Sequence, residues 1–125
     1  MADFLGTIEK GTFKSFKETK TAPTIQAGTL TLDLSASSVF SISHDANITT
    51  LTISNPVSTN ANAVQAFTLA IVYTATAYTI AWGSIKWPNA TAPTLSAGAG
   101  KIDIFTFVTY DGGTTWFGFI GGQNY

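Results

Sequence analysis

The chain has no cysteine, and its basic residues are all lysines, so arginine is missing as well. Without thiols there are neither disulfides nor thiolate metal sites, and the redox compartment leaves no trace. Charge of either sign is scarce. Charged residues make up 10% of the chain, against about 25% in a typical soluble protein. A formal net charge of -1 gives no electrostatic reason to expect nucleic acid or an anionic membrane as partner. The opening "MADFLGTIEKG" lacks a basic start followed by an apolar run, so no secretory signal is expected. The longest apolar-looking stretch, "AVQAFTLAIVYTATAYTIAW", is broken by Gln65 and by threonines and alternates as strands do, which excludes a membrane helix. A soluble protein is expected, its hydration supplied by Thr, Ser, Asn and Gln or its surface hidden in an assembly.

What is present divides unevenly. At 125 residues the chain fits one domain, able to bury roughly two-thirds of the surface of its unfolded form. About half of the charges lie in the first twenty residues, within "IEKGTFKSFKETK" and just before it. Residues 1–24 read as an arm. Phe4, Leu5, Ile8, Phe13 and Phe16 are spaced along it, but Gly6 and Gly11 break any long helix. Lys10, Lys14, Lys17 and Lys20 keep it hydrated, and Pro23 in "TAPT" marks its end. The regular aromatic spacing predicts docking onto a partner surface, with Phe4, Phe13, Phe16 and the four lysines as contacts.

Residues 25–125 form the second region, where nearly every segment has strand character. "TLTLDL", "SSVFSIS", "ITTLTIS", "AFTLAIVYT", "AYTIAW" and "SIKW" follow one another, and "KIDIFTFVTY" and "TTWFGFI" close the chain. The last two flank Asp111, Gly112 and Gly113, residues that tolerate the positive φ of a tight hairpin turn. Short strands, frequent turns and no convincing helix predict an all-β fold, an antiparallel β-sandwich or jelly roll.

Proton-handling groups are few. His44 is the only histidine, and in "SHDAN" its neighbours point to opposite faces of an extended strand, so Ser, His and Asp cannot align as a triad. Asp33, Asp45, Asp103 and Asp111 are widely spaced; the turn accounts for Asp111 and a solvent-facing strand position for Asp33. No loop resembles a calcium cage, and no glycine pair enters a helix as a phosphate cradle does. No catalytic residue, metal ligand or cofactor is expected, and the chain is not read as an enzyme.

The aromatic residues carry more information. In the final hairpin Ile102, Ile104, Val108 and Tyr110 share one face and Phe105 and Phe107 the other; Trp116 likewise opposes Phe117 and Phe119. With Trp82 and Trp87 this exceeds what a small core is expected to hold. Leaving one large aromatic exposed forgoes about 1.5–3 kcal/mol of burial. The second face must then be buried by the arm, by a loop or by another copy; association of copies is the economical answer, through Phe105, Phe107, Trp116, Phe117 and Phe119.

The pattern also resembles a known module. "GTLTLDLSASSVFSISHDANITTLTISNP", the "W…KWP" corner from Trp82 to Pro88, the loop "APTLSAGAGK", "DIFTFVTYDGGTTWFGF" and a closing "GGQNY" are similar to a module of tailed-bacteriophage virion proteins. The resemblance covers residues 25–125 and is most specific in the last fifty or so. It implies a β-sandwich that assembles as a homotrimer on the virion without enzymatic activity. Only a short Lys/Phe arm precedes the module here, where a fibre tip would have a shaft. The expectation is therefore a capsid decoration (cement) protein on the outer surface of the phage head, partnered by its own copies and by the major capsid protein. The second reading is a short tail-fibre or receptor-binding tip that recognises a host surface glycan through Trp87, Asn89 and the loop from Ser96 to Gly100.

Overall fold

A computed structural model describes residues 9–75 and 78–125. Its strands are β1 (Lys20–Thr21), β2 (Thr29–Asp33), β3 (Val39–His44), β4 (Thr50–Ser54), β5 (Gln65–Tyr73), β6 (Ile102–Thr109) and β7 (Phe117–Gly122). A single 3-10 turn, Pro88–Ala90, interrupts the long connection before β6. The five strands β1-β3-β5-β6-β7 form one sheet and the two strands β2-β4 form another. The fold is nearly all-β and compatible with a two-layer sandwich.

Pairing direction departs from the expected antiparallel arrangement. β1 with β3, β3 with β5 and β2 with β4 all run parallel. Only β5-β6-β7 is an antiparallel meander. The first five strands alternate between the two sheets, so the chain winds, laying each strand beside the one two places earlier. Alternation along a strand reveals which side chains face inward but not which strand lies alongside, so a winding chain and a set of hairpins read alike. The corner after β2 shows how the turns stack. Asp33 Oδ1 accepts from Ser35 N (3.0 Å), Ser35 Oγ (2.6 Å) and, one turn later, Asn55 Nδ2 (3.0 Å). Those bonds hold the Asp33 carboxyl below its ordinary pKa, the Ser35 hydroxyl contributing most.

Two expected strands are reduced to single bridges. Within 78–82 only Ile80 pairs, parallel to Ile48, through Ile48 N to Thr79 O (2.9 Å) and Ala81 N to Ile48 O (2.8 Å). Within 84–87 only Lys86 pairs, beside Phe117. The remainder of that connection turns Trp82, Ile85 and Trp87 against the core rather than extending a ladder.

Leu30 and Leu32 of β2 face Phe40 and Ile42 of β3, Phe67, Leu69, Ile71 and Tyr73 of β5, and Phe105 and Phe107 of β6 in one core. Phe67 stacks on Phe107 with centroids 5.0 Å apart and meets Trp116 edge-on at 5.1 Å. Trp82 and Trp87 meet each other at 5.0 Å, and Trp82 lies 5.4 Å from Phe105. Edge-on and offset contacts of this kind add about 0.5–1.5 kcal/mol each beyond area burial. Gly118 makes the arrangement possible, since a Cβ there would stand 2.8 Å from the Trp87 ring.

Candidate assembly surface and docking arm

The inner face of the large sheet is closed. The outer face is not. Neighbouring strands place Phe117 beside Val108 and Val108 beside Ala66. The next row runs Phe119, Thr106, Thr68, Val39, followed by Ile104, Ala70, Ser41 and then Ile102, Val72, Ser43. Every one of these residues keeps some exposure. Among the described residues the ionisable side chains in the rows stand at the two edges, Lys20 in register with Val39 and Lys86 beside Phe117. Phe117 is 41% and Phe119 45% exposed, far above what isolated core aromatics show. The face thus combines exposed aromatic and aliphatic side chains with small or hydroxyl-bearing ones.

The five residues expected at an assembly interface therefore separate. Phe105 and Phe107 are fully buried and Trp116 nearly so, all three within the chain's own core. Their assignment to an interface between copies is corrected. β6 turns Asp103, Phe105, Phe107 and Thr109 inward, and the connection before it covers the two phenylalanines with Trp82 and Trp87. Both faces of the hairpin are apolar, so the sequence pattern identifies two faces without saying which is the inner one. Phe117 and Phe119 remain on the outside.

Ahead of β1, residues 9–19 are exposed throughout. Phe13 is 67% and Phe16 80% exposed, and Lys10, Lys14, Lys17 and Lys20 surround them. Phe4 lies outside the described residues. The arm joins the sheet at Lys20 and Thr21 only. Pro23 follows after Ala22, and without an N–H it offers no donor to carry the ladder further along β3.

The turn between β6 and β7 is held from within. Asp111 Oδ1 accepts from Thr115 N (2.8 Å) and Thr109 Oγ1 (2.9 Å), and Gly113 N donates to Thr109 Oγ1 (2.9 Å). The Thr115 amide, followed by the Thr109 hydroxyl, lowers the Asp111 pKa. Gly112 has φ 68°, and a Cβ there would run into the Asn60 carbonyl, so only glycine fits.

A buried carboxylate is the polar feature that strand alternation could have revealed. Asp103 sits between Ile102 and Ile104 on the same face as Phe105 and Phe107, which is an inward position. It is fully buried. Its Oδ2 accepts from Tyr73 Oη (2.6 Å), Ser96 N (2.8 Å) and Gln123 Nε2 (3.2 Å), and its Oδ1 from Asn124 N (3.0 Å). Desolvation pushes the Asp103 pKa up, but the bonds from Ser96, Tyr73 and Asn124 outweigh it and leave it lowered. Burial, with the Asp103 carboxylate second, raises the Tyr73 pKa far above its ordinary value. The cluster ties the 94–96 loop and the closing residues to β6. No other carboxylate takes part, so it offers an anchor rather than an acid-base pair.

His44 is also buried, between the rings of Tyr73 and Tyr78, with Nε2 3.3 Å from Thr79 O and Nδ1 unpartnered. Desolvation lowers its pKa. Among the described residues no group of three or more His, Cys, Asp or Glu could hold a metal ion. Of the candidate glycan contacts, Trp87 packs on Phe105 and Phe107 with its Nε1 buried and unpartnered, while Asn89 is exposed in the 3-10 turn. Beside them Trp87, Pro88, Thr91, Pro93, Phe119 and Ile120 line a shallow cavity of about 140 Å³. No helix among the described residues is long and apolar enough to cross a membrane. No protein-family model, curated protein or solved structure matches this chain.

Proposed function

We propose that this chain is a structural protein of a bacteriophage virion, a homotrimeric decoration protein that sits on the outer surface of the head and bridges major capsid subunits. The phage assignment rests on the resemblance of residues 25–125. The observation that supports a decoration role is the exposed arm, with Phe13 and Phe16 held in solvent among lysines at the edge of a compact β domain. Two wetted aromatics gain by entering grooves on a partner, and the lysines can meet its carboxylates. One such arm binds weakly. Three arms on one trimer act together, because the first attachment holds the others at high effective concentration.

Deleting residues 1–19 tests this reading. The truncated protein is expected to keep its fold and oligomeric state while losing attachment to phage heads, as followed by co-sedimentation. Equal attachment of the truncated and full-length proteins contradicts it.

The cavity beside Trp87 favours a second reading, a receptor-binding tip that seats a sugar ring against apolar and aromatic walls. Binding of the purified protein to host cells, together with indifference to heads, would select that alternative.

A further inference from the structure

We infer that copies of this chain associate through the outer face of the five-stranded sheet, the Phe117–Phe119 ridge of one copy lying in the low strip along β5 and β3 of the next. The inference concerns a pairwise contact between copies and does not rest on the proposed virion role.

The relief of the face comes from the register. At one edge, β7 raises Phe117 and Phe119, backed by Val108, Thr106 and Ile104 of β6. Further in, the side chains shrink to Ala66, Thr68 and Ala70 on β5 and Ser41 on β3. A ridge of rings and a strip of small side chains thus lie on one plane a few strands apart. One copy's ridge fits the next copy's strip, and neither fits itself. Stacked about a two-fold axis, two faces place each copy's ridge in the other's strip, so the whole of both faces enters the contact.

Charge and size both favour a second copy as the occupant. Lys20 and Lys86 stand at the two opposite edges, and the rows between them, on β6, β5 and β3, contain no ionisable group, so the interior of the face meets a second copy without burying a charge. β6 has eight residues; at about 3.3 Å per residue, and with four strands about 4.8 Å apart, the face covers roughly 500 Å². Two such faces supply about 1,000 Å², the lower bound for a specific interface. The Trp87 cavity borders the same ridge, with Phe119 and Ile120 in its wall, so the contact can extend without crossing a charged boundary.

The absence of cysteine makes a direct test available. Full-length Phe119→Cys and Ala70→Cys proteins, mixed and oxidised, are expected to form the mixed disulfide ahead of either homodimer. Predominant homodimers, or no cross-link at all, overturn the pairing. Charge placed on either patch, Phe119→Lys or Ser41→Arg, is expected to raise the dissociation constant by at least about thirty-fold. Far-UV circular dichroism would confirm that each variant stays folded, and two separate patches guard against a folding defect in one. An unchanged oligomer in both folded variants refutes the inference. Head binding is scored separately: self-association without head attachment defeats the virion reading and leaves this one standing, and the reverse outcome defeats only this one.

Discussion

The two faces of the large sheet share a backbone but use apolar side chains differently. Inward, Phe67, Phe105 and Phe107 meet Trp82, Trp87 and Trp116, and the buried Asp103 has four donors around it. Outward, Phe117 and Phe119 stand beside threonines, alanines and valines, exposed among the described residues, with charge confined to Lys86 and Lys20 at the edges. The same residue type therefore stabilises the single chain on one face and is available to a partner on the other. Hydrophobicity alone does not separate the two roles; strand register and the connection carrying Trp82 and Trp87 do.

Substitutions should separate the faces. The largest expected effect is on the inside: Phe107→Ala removes a ring packed against Phe67, Trp82 and Trp87 and should cost about 3–5 kcal/mol of folding stability. Phe117→Ala on the outside should cost the folded chain little. Chemical denaturation of both variants in dilute solution checks the contrast, and equal losses would erase it.

Asp103→Asn comes next. It replaces a carboxylate oxygen by an NH₂ group among donors, leaving buried N–H or O–H groups without acceptors at about 1–3 kcal/mol each. Thermal unfolding is expected to show the loss, accompanied by faster proteolysis of the closing residues that Asp103 holds through Asn124 and Gln123.

Acid should act on the inner face in two stages. His44 has a lowered folded pKa, so its contribution is complete above the ordinary value of 6.5 and declines as pH falls below it. Asp103 is also lowered, from 3.8, so its contribution is present above that value and disappears as pH falls through its folded pKa. The unfolding midpoint measured from pH 8 to 3 should decline first below about 6.5 and again below about 3.8. His44→Gln should remove the first decline only. A midpoint unchanged down to pH 4 would contradict this account of His44.

Much of the fold was legible in the sequence, for definite reasons. Leu30 and Leu32, Phe40 and Ile42, and Phe67, Leu69 and Ile71 alternate with polar or small residues, so the strands and their inward sides could be read directly. Asp111, Gly112 and Gly113 marked their turn because few residues tolerate that backbone. Parallel winding was not legible, since the corner at Asp33 joins two sheets and nothing local distinguishes it from a hairpin turn. The candidate surface was half legible: Phe117 and Phe119 were picked out, but so were Phe105 and Phe107, because the rings that cover them come from a connection expected to form strands of its own. Asp103 looks in the sequence like an isolated acid, although its parity with Phe105 points inward.

Sedimentation velocity of the full-length protein over a micromolar concentration range, beside a Phe117→Lys/Phe119→Lys variant, tests most directly whether the outer face is completed by another copy. The account predicts a concentration-dependent oligomer for the first and a folded monomer for the second. A wild-type protein that sediments as a monomer across the whole range would contradict it.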